Sequence, residues 1–137
     1  LKLPKKIILT PHLGEAANLL NSSVEAINKN KVSAAKRISK KFNAVVVLKS
    51  HQTLICKGEN ICTCDRANPG MATAGMGDVL SGIISSLVAQ KLNLFDASCL
   101  GVELHSLAGE AYAKKFNQLS LMPTDIIDFL PSIFDEF

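Results

Sequence analysis

Ala44-Val45-Val46-Val47-Leu48 is the most restrictive stretch of this chain, because it is continuously apolar where a half-exposed strand would alternate. Such a run belongs to a strand covered on both faces, as in parallel sheets with helices above and below. A helical pattern precedes it. Ala34, Ala35, Ile38 and Phe42 form an apolar stripe on a segment from Val32 to Phe42, whose other face carries Lys36, Arg37, Lys40 and Lys41. Helix followed by buried strand is the α/β pattern.

The rest of the chain extends it. Ile7-Ile8-Leu9 predicts a short buried strand delivering the chain to a loop at Thr10-Pro11, followed by helix from Glu15 to Leu20. Ser22 or Ser23 caps a further short helix. Thr53 to Cys56 and Ile61 to Cys64 flank Lys57-Gly58-Glu59-Asn60 and read as an antiparallel hairpin. Arg66 to Met76 is expected to be loop. Helical patterning resumes from Asp78 to Gln90, Phe95 to Phe116 and Thr124 to Phe134. Two buried strands and a hairpin are a small sheet for at least five helices, so part of the sheet is expected to lie outside this chain.

A length of 137 residues, 47% hydrophobic and 20% charged, fits one globular domain that needs no staples. The net charge of +3 is spread over helix faces and argues against nucleic acid as a partner. Four cysteines, Cys56, Cys62, Cys64 and Cys99, include no Cys-x-x-Cys pair, and the three histidines lie far apart, so no metal site is expected. Reduced thiols suit a cytoplasmic location. Leu1 to Lys6 has no signal-peptide layout, and the uncharged stretch from Val79 to Gln90 is too short to cross a membrane.

The candidate working centre is Asn68-Pro69-Gly70-Met71-Ala72-Thr73-Ala74-Gly75-Met76-Gly77-Asp78, followed directly by an apolar helix. Glycines before a helix let the backbone approach a ligand, and the free N–H groups of the first turn point at it, which makes an anion site. Asp78 beside such a site suits a general base taking the proton of a hydroxyl that attacks a phosphoryl group. The plainer alternative makes Asp78 a helix N-cap. The turn is not a Walker loop, since Met76-Gly77 follows Gly75 where Lys and Ser or Thr are required. Nor is it a dinucleotide fingerprint, because Leu80 occupies the third glycine position.

Ala74-Gly75-Met76-Gly77-Asp78 resembles the Gly-x-Gly-Asp element of the ribokinase-like superfamily, and the Asn68 to Thr73 extension is similar to the ADP- or ATP-dependent NAD(P)H-hydrate dehydratases. Thr10-Pro11-His12-Leu13-Gly14-Glu15 resembles that family's Thr-Pro-His-Pro-Gly-Glu segment, with Leu13 in place of Pro. Lys49-Ser50-His51-Gln52-Thr53 resembles its Lys-Gly-x-x-Thr segment, with Ser50 in place of Gly. His105 with Ala108-Gly109, and Leu121 to Ile127, resemble its closing helices.

The resemblance implies a three-layer ribokinase-like α/β sandwich with a mostly parallel sheet, of which residues 1–137 are the C-terminal portion and the N-terminal portion is supplied elsewhere. It implies dehydration of NAD(P)H hydrate at the expense of ADP or ATP with Mg2+. Asp78 is the implied catalytic base, and His12 lies with it at the substrate. Lys49, Ser50, His51, Gln52, Thr53, Asn68, Ala74, Gly75, Met76 and Gly77 are the implied nucleotide contacts. Homo-oligomerisation is expected, from family habit and from helices left without a sheet to cover. The rival readings are a ribokinase-like kinase of a small alcohol or vitamin precursor, and a non-catalytic nucleotide-binding module. On residue chemistry alone, His12 is an incidental loop histidine, Lys49 a snorkelling strand-end lysine, and His105 a core histidine.

Overall fold

The computed structural model describes residues 4–66 and 68–135. Leu1 to Leu3, read above for a signal peptide, and Ala67 in the expected loop lie outside the described residues.

The four strands are β1 (Ile8–Leu9), β2 (Val45–Leu48), β3 (Thr53–Lys57) and β4 (Asn60–Cys64), in sheet order β1-β2-β3-β4. β1 and β2 are parallel, joined by α1 (Leu13–Leu20), α2 (Val24–Lys29) and α3 (Lys31–Phe42). β3 is antiparallel to both its neighbours, β2 and β4. The parallel character expected of this fold is therefore carried here by one pairing. Short links account for the difference: Lys49 to Gln52 alone join β2 to β3, the turn between β3 and β4 contains Gly58 at φ 60°, and links so short reverse the chain.

Alternate residues of β2 explain its unbroken apolar run. Val46 and Leu48 pack with Ala34, Ala35 and Ile38 of α3 and with Ala16 and Ala17 of α1. Val45 and Val47 pack on the opposite face against Leu80, Ile84 and Val102. Those three come from α4 (Met76–Ala89) and α5 (Leu94–Lys115), so helices cover both faces of the sheet. All four β2 side chains are buried, each contributing on the order of 1.5–3 kcal/mol of apolar transfer. Ser39, buried on α3, donates to the Ala44 carbonyl at 2.7 Å and accepts from the Gly58 N–H at 3.0 Å, tying helix, strand and hairpin turn together.

A third cluster lies outside the sheet, between α4, α5 and α6 (Pro123–Phe134), around Leu104, Ala108, Tyr112 and Ile126. This corrects the expectation of helices without a surface to cover: α6 buries its apolar stripe on α5 and α4. Two short helical turns, Pro69–Met71 and Gln118–Ser120, were not legible as such in the sequence. Among the described residues no helix is long and apolar enough to cross a membrane.

β1 pairs with β2 along one edge only, among the described residues. Beside it lies a cavity of about 490 Å3 lined by Leu9, Thr10, Pro11, Glu15, Asn18 and Leu19.

Candidate functional site

Parallel pairing brings the carboxyl ends of β1 and β2 to the same edge, where ligands of open α/β sheets bind. The loops that leave these ends are stitched together. Lys49 N–H donates to Pro11 O at 2.8 Å, and His12 and Lys49 form an isolated parallel bridge. His12 and the Lys49 to Thr53 segment, far apart in sequence, thus become one rim.

The glycine-rich turn forms the facing rim. α4 begins at Met76 with Gly75 as its N-cap at φ 91°, a conformation open to glycine and costly for most other residues. This overturns the alternative in which Asp78 is the cap, because Asp78 sits three positions inside the helix. No side chain caps α4. Met76 N–H donates to Thr73 O at 3.2 Å and Asp78 N–H to Gly75 O at 3.0 Å. Within the described residues, the N–H groups of Ala74, Gly75 and Gly77 donate to no backbone or side-chain acceptor. The anion-binding capacity resides in these three.

Lys49 closes the geometry. A Cβ built on Gly77 would lie 3.1 Å from Lys49 Nζ, so the ammonium rests against the turn. Lys49 has no carboxylate partner among the described residues. Arg66, also on the cavity wall, is engaged: it donates to Glu103 at 2.7 Å and Glu110 at 2.9 Å, and these hydrogen bonds and charges raise its pKa further. Lys49 is therefore the cation left to meet an anionic ligand.

Between the rims lies a cavity of about 610 Å3, the size of a small-ligand site. It takes in His12, Lys49, Ser50, His51, Thr53, Asn68, Met76 and Gly77 from the expected set. It does not take in Gln52, whose amide is held by Asp65, or Ala74 and Gly75. Nor does Asp78 line it: the residue is exposed, and its carboxylate has no hydrogen bond or ion pair among the described residues.

Local roles sharpen several of these residues. The Asn68 amide donates to Gly109 O at 3.1 Å and accepts from Gly70 N–H at 2.9 Å, so it fastens the loop to α5. Ser50 donates to Gln52 O at 2.5 Å and accepts from Lys31 Nζ at 3.3 Å. Its hydroxyl is thus used within its own loop. His105, read above as a core histidine, is buried but forms part of the cavity wall, with Cys64 and Ser106 beside it. Nothing local in an apolar helix distinguishes a wall from a core position, which is why the sequence did not separate the two.

A family model described as NAD(P)H-hydrate dehydratase matches residues 2–132. The chain belongs to this family. It is 45% identical over 123 residues to the bifunctional NAD(P)H-hydrate repair enzyme Nnr of Vibrio cholerae, an alignment covering 90% of this chain and 25% of that protein. It is also 45% identical over 107 residues to the ADP-dependent (S)-NAD(P)H-hydrate dehydratase of Neisseria meningitidis, covering 77% of this chain and 36% of that one. The fold matches the ADP/ATP-dependent NAD(P)H-hydrate dehydratase of Bacillus subtilis co-crystallised with ATP/Mg2+ and soaked with CoA, with a TM-score of 0.92 and 26% identity. That match covers 99% of this chain and 52% of the other. The chain spans about a quarter of the length of the first of these relatives and about half of the solved one.

Within this dehydratase-family site, His12 has a second duty that its sequence position concealed. It is the N-cap of α1: Nδ1 accepts from Gly14 N–H at 3.0 Å and Glu15 N–H at 3.2 Å, while Glu15 returns a bond to His12 N–H at 2.8 Å. Histidine is not among the usual capping residues. With Nδ1 an acceptor, the neutral ring carries its proton on Nε2, 3.5 Å from Glu15 Oε1. His12 is thus presented as a hydrogen-bond donor. His12→Ala is expected to cost about 1 kcal/mol through loss of the cap, whereas His12→Asn keeps the cap and removes only the ring. Denaturant unfolding of both variants, beside their activities, separates the two duties. Equal stability loss in Ala and Asn would contradict the capping role.

Proposed function

We propose that this chain carries the nucleotide side of an ADP- or ATP-dependent dehydratase that returns hydrated NADH or NADPH to NAD(P)H. The observation that carries this reading is the meeting, at one cavity mouth, of the α4 turn and the Lys49 ammonium, whose N–H groups and charge have no partner among the described residues, in a chain of this family. The nucleotide would lie in the cavity between Lys49–Thr53 and Asn68–Gly77, phosphates toward the turn. His12 would donate to the hydrated nicotinamide.

The ring hydroxyl oxygen attacks the terminal phosphoryl, forming an O–P bond as the bond to the shortened nucleotide breaks. Asp78 accepts the hydroxyl proton. N–H dipoles of the turn and the Lys49 charge stabilise the phosphoryl oxygens in flight, the preorganised electrostatic contribution that is usually largest in such sites. The ring nitrogen lone pair then expels phosphate, and loss of a proton from the adjacent carbon restores the reduced ring. Magnesium fits as a companion of the phosphates, whose charge it would neutralise. Among the described residues no three His, Cys, Asp or Glu side chains cluster to hold an ion alone.

Asp78 is exposed and does not line the cavity, and β1 has an unpaired edge among the described residues; both support the reading that residues 1–137 are the C-terminal portion of one ribokinase-like domain. Strands added along β1 would supply the other wall of the substrate pocket. The free thiols Cys56, Cys62, Cys64 and Cys99 suit a reducing, cytoplasmic setting. Exposed Phe116, Leu119 and Met122, on the link between α5 and α6, support self-association; a monomer mass in sedimentation contradicts it.

The deciding experiment supplies the complete domain with hydrated NADH and ADP or ATP. Recovery of the near-ultraviolet absorbance of the reduced ring is expected. No recovery with either nucleotide, when the domain is folded, overturns the reading.

A further inference from the structure

The N–H groups of Ala74 and Gly75 have no acceptor among the described residues, so their direction is set by whatever holds the backbone on either side. α4 gives no help, since no side chain caps it. The backbone makes a tight turn there. Met76 N–H donates to Thr73 O at 3.2 Å, and Gly75, at φ 91° and ψ −17°, takes the left-handed geometry required at the third position of a type II turn. Ala74 and Gly75 are the two central residues of this turn, between Thr73 and Met76.

Side-chain bonds carry the turn back to α5. The Thr73 hydroxyl donates to Gly70 O at 3.0 Å. Gly70 N–H donates to Asn68 Oδ1 at 2.9 Å, and Asn68 Nδ2 donates to Gly109 O at 3.1 Å. The anchor is also a packing contact: a Cβ on Gly109 would lie 2.6 Å from Met71 Sδ, so loop and helix touch there. Hydrogen bonds in series thus run from Gly109 through Asn68, Gly70 and Thr73 to Met76, the first residue of α4. Both side chains are engaged by this relay. Thr73 has one hydroxyl proton, and Gly70 O takes it, so the oxygen has only lone pairs left, which a phosphate repels. Asn68 lines the cavity, yet its oxygen is committed to the loop and an amide proton to the helix.

We propose that Asn68 and Thr73 are positioning residues for phosphoryl transfer, tying the Thr73–Met76 turn to α5 and so fixing the aim of the Ala74 and Gly75 N–H groups. This rests on the phosphoryl-transfer reading of the site. Neither side chain touches the reacting atoms; both act through the turn.

The test uses the complete domain and compares Thr73→Val, Thr73→Ser, Asn68→Ala and the Asn68→Ala/Thr73→Val pair by thermal unfolding, amide exchange at Met76 and turnover. Thr73 is exposed, and valine matches its shape without the hydroxyl, so Tm should hold. In Thr73→Val, exchange at Met76 should quicken about tenfold and kcat should fall about ten- to a hundredfold, with nucleotide KM within about threefold of wild type. Thr73→Ser keeps the hydroxyl and should restore both. Because the bonds act in series, cutting a second link should add little: the double variant should stay within about twofold of the worse single one. Losses that multiply overturn the proposal, as they would if Asn68 met the nucleotide directly. So do equal kcat values in Thr73→Val and Thr73→Ser, or a rise in nucleotide KM with kcat unchanged, which would make Thr73 a phosphate contact. If Asn68→Ala fails to fold, the Thr73 pair decides alone. A folded wild-type domain that shows slow exchange at Met76 but no turnover overturns the phosphoryl-transfer reading itself, and the inference with it.

Discussion

Asp78→Asn is expected to lower kcat by about a hundred- to ten-thousandfold, the range spanned by a lost general base, while leaving nucleotide binding intact or tighter. The amide matches the carboxylate in shape, and α4 keeps its start because the helix is entered at Gly75 rather than at Asp78. Removing one negative charge beside bound phosphates favours the nucleotide. It also removes a favourable interaction with the helix dipole, at a cost of about 0.3–1 kcal/mol. Steady-state turnover in the complete domain and calorimetric titration with ADP measure the two effects separately. A variant within about threefold of wild type would remove Asp78 from the chemistry, since general-base contributions are far larger. Loss of nucleotide binding with no change in fold would make Asp78 a binding residue instead.

The second large effect is expected at Gly70. A Cβ there would lie 2.2 Å from the Gln118 carbonyl oxygen and 3.1 Å from its carbon, and neither is the end of a flexible side chain. Gly70→Ala must therefore push the Pro69–Met71 turn away from the Gln118–Ser120 turn. About 1–3 kcal/mol of stability should be lost, as for other overpacked contacts. The displaced turn carries Asn68 and Met71 with it, both on the cavity wall, so nucleotide KM should rise as well. Gly82→Ala is the control. Gly82 is exposed within α4 with nothing within 4 Å of a Cβ, and alanine there should stabilise the helix by about 1 kcal/mol. Urea unfolding of both variants reads the contrast. Equal behaviour would mean that the two short turns do not pack as described.

These contrasts show how legibility varied along the chain. β2 was readable because four successive buried residues need cover on both faces, and the structure supplies it from α3 on one side and α4 and α5 on the other. The hairpin was readable because Gly58 and its neighbours encode the reversal locally. Helix starts were less so. α1 begins at Leu13 because a histidine caps it, and α4 begins at Met76 because Gly75 turns the chain at positive φ. Neither follows from apolar periodicity, which registers the buried stripe of a helix and not the bonds at its end. Thiol packing was legible too. Cys99 lies against the sheet, and burial, helped by the neighbouring Cys62 thiol, pushes its pKa up to about 12. Such a thiol behaves as a small hydrophobe.

By itself the sequence determined the parts whose conformation depends on near neighbours in the chain: the buried strand, the hairpin, the amphipathic helices and a glycine turn opening into a helix. It also carried the family resemblance, because those residues are read in order along one strand of chemistry. Only the tertiary structure decided which way each group faces. Lys49 reaches Gly77 because β2 ends opposite the α4 turn, while Asp78, one residue on, is exposed and does not line the cavity. Asn68 is bound to Gly109 across 41 residues, and His105 becomes a wall of the site because α5 packs behind α4. Contacts between elements so far apart are fixed by how helices and sheet fill a common core, and that packing has no local signature.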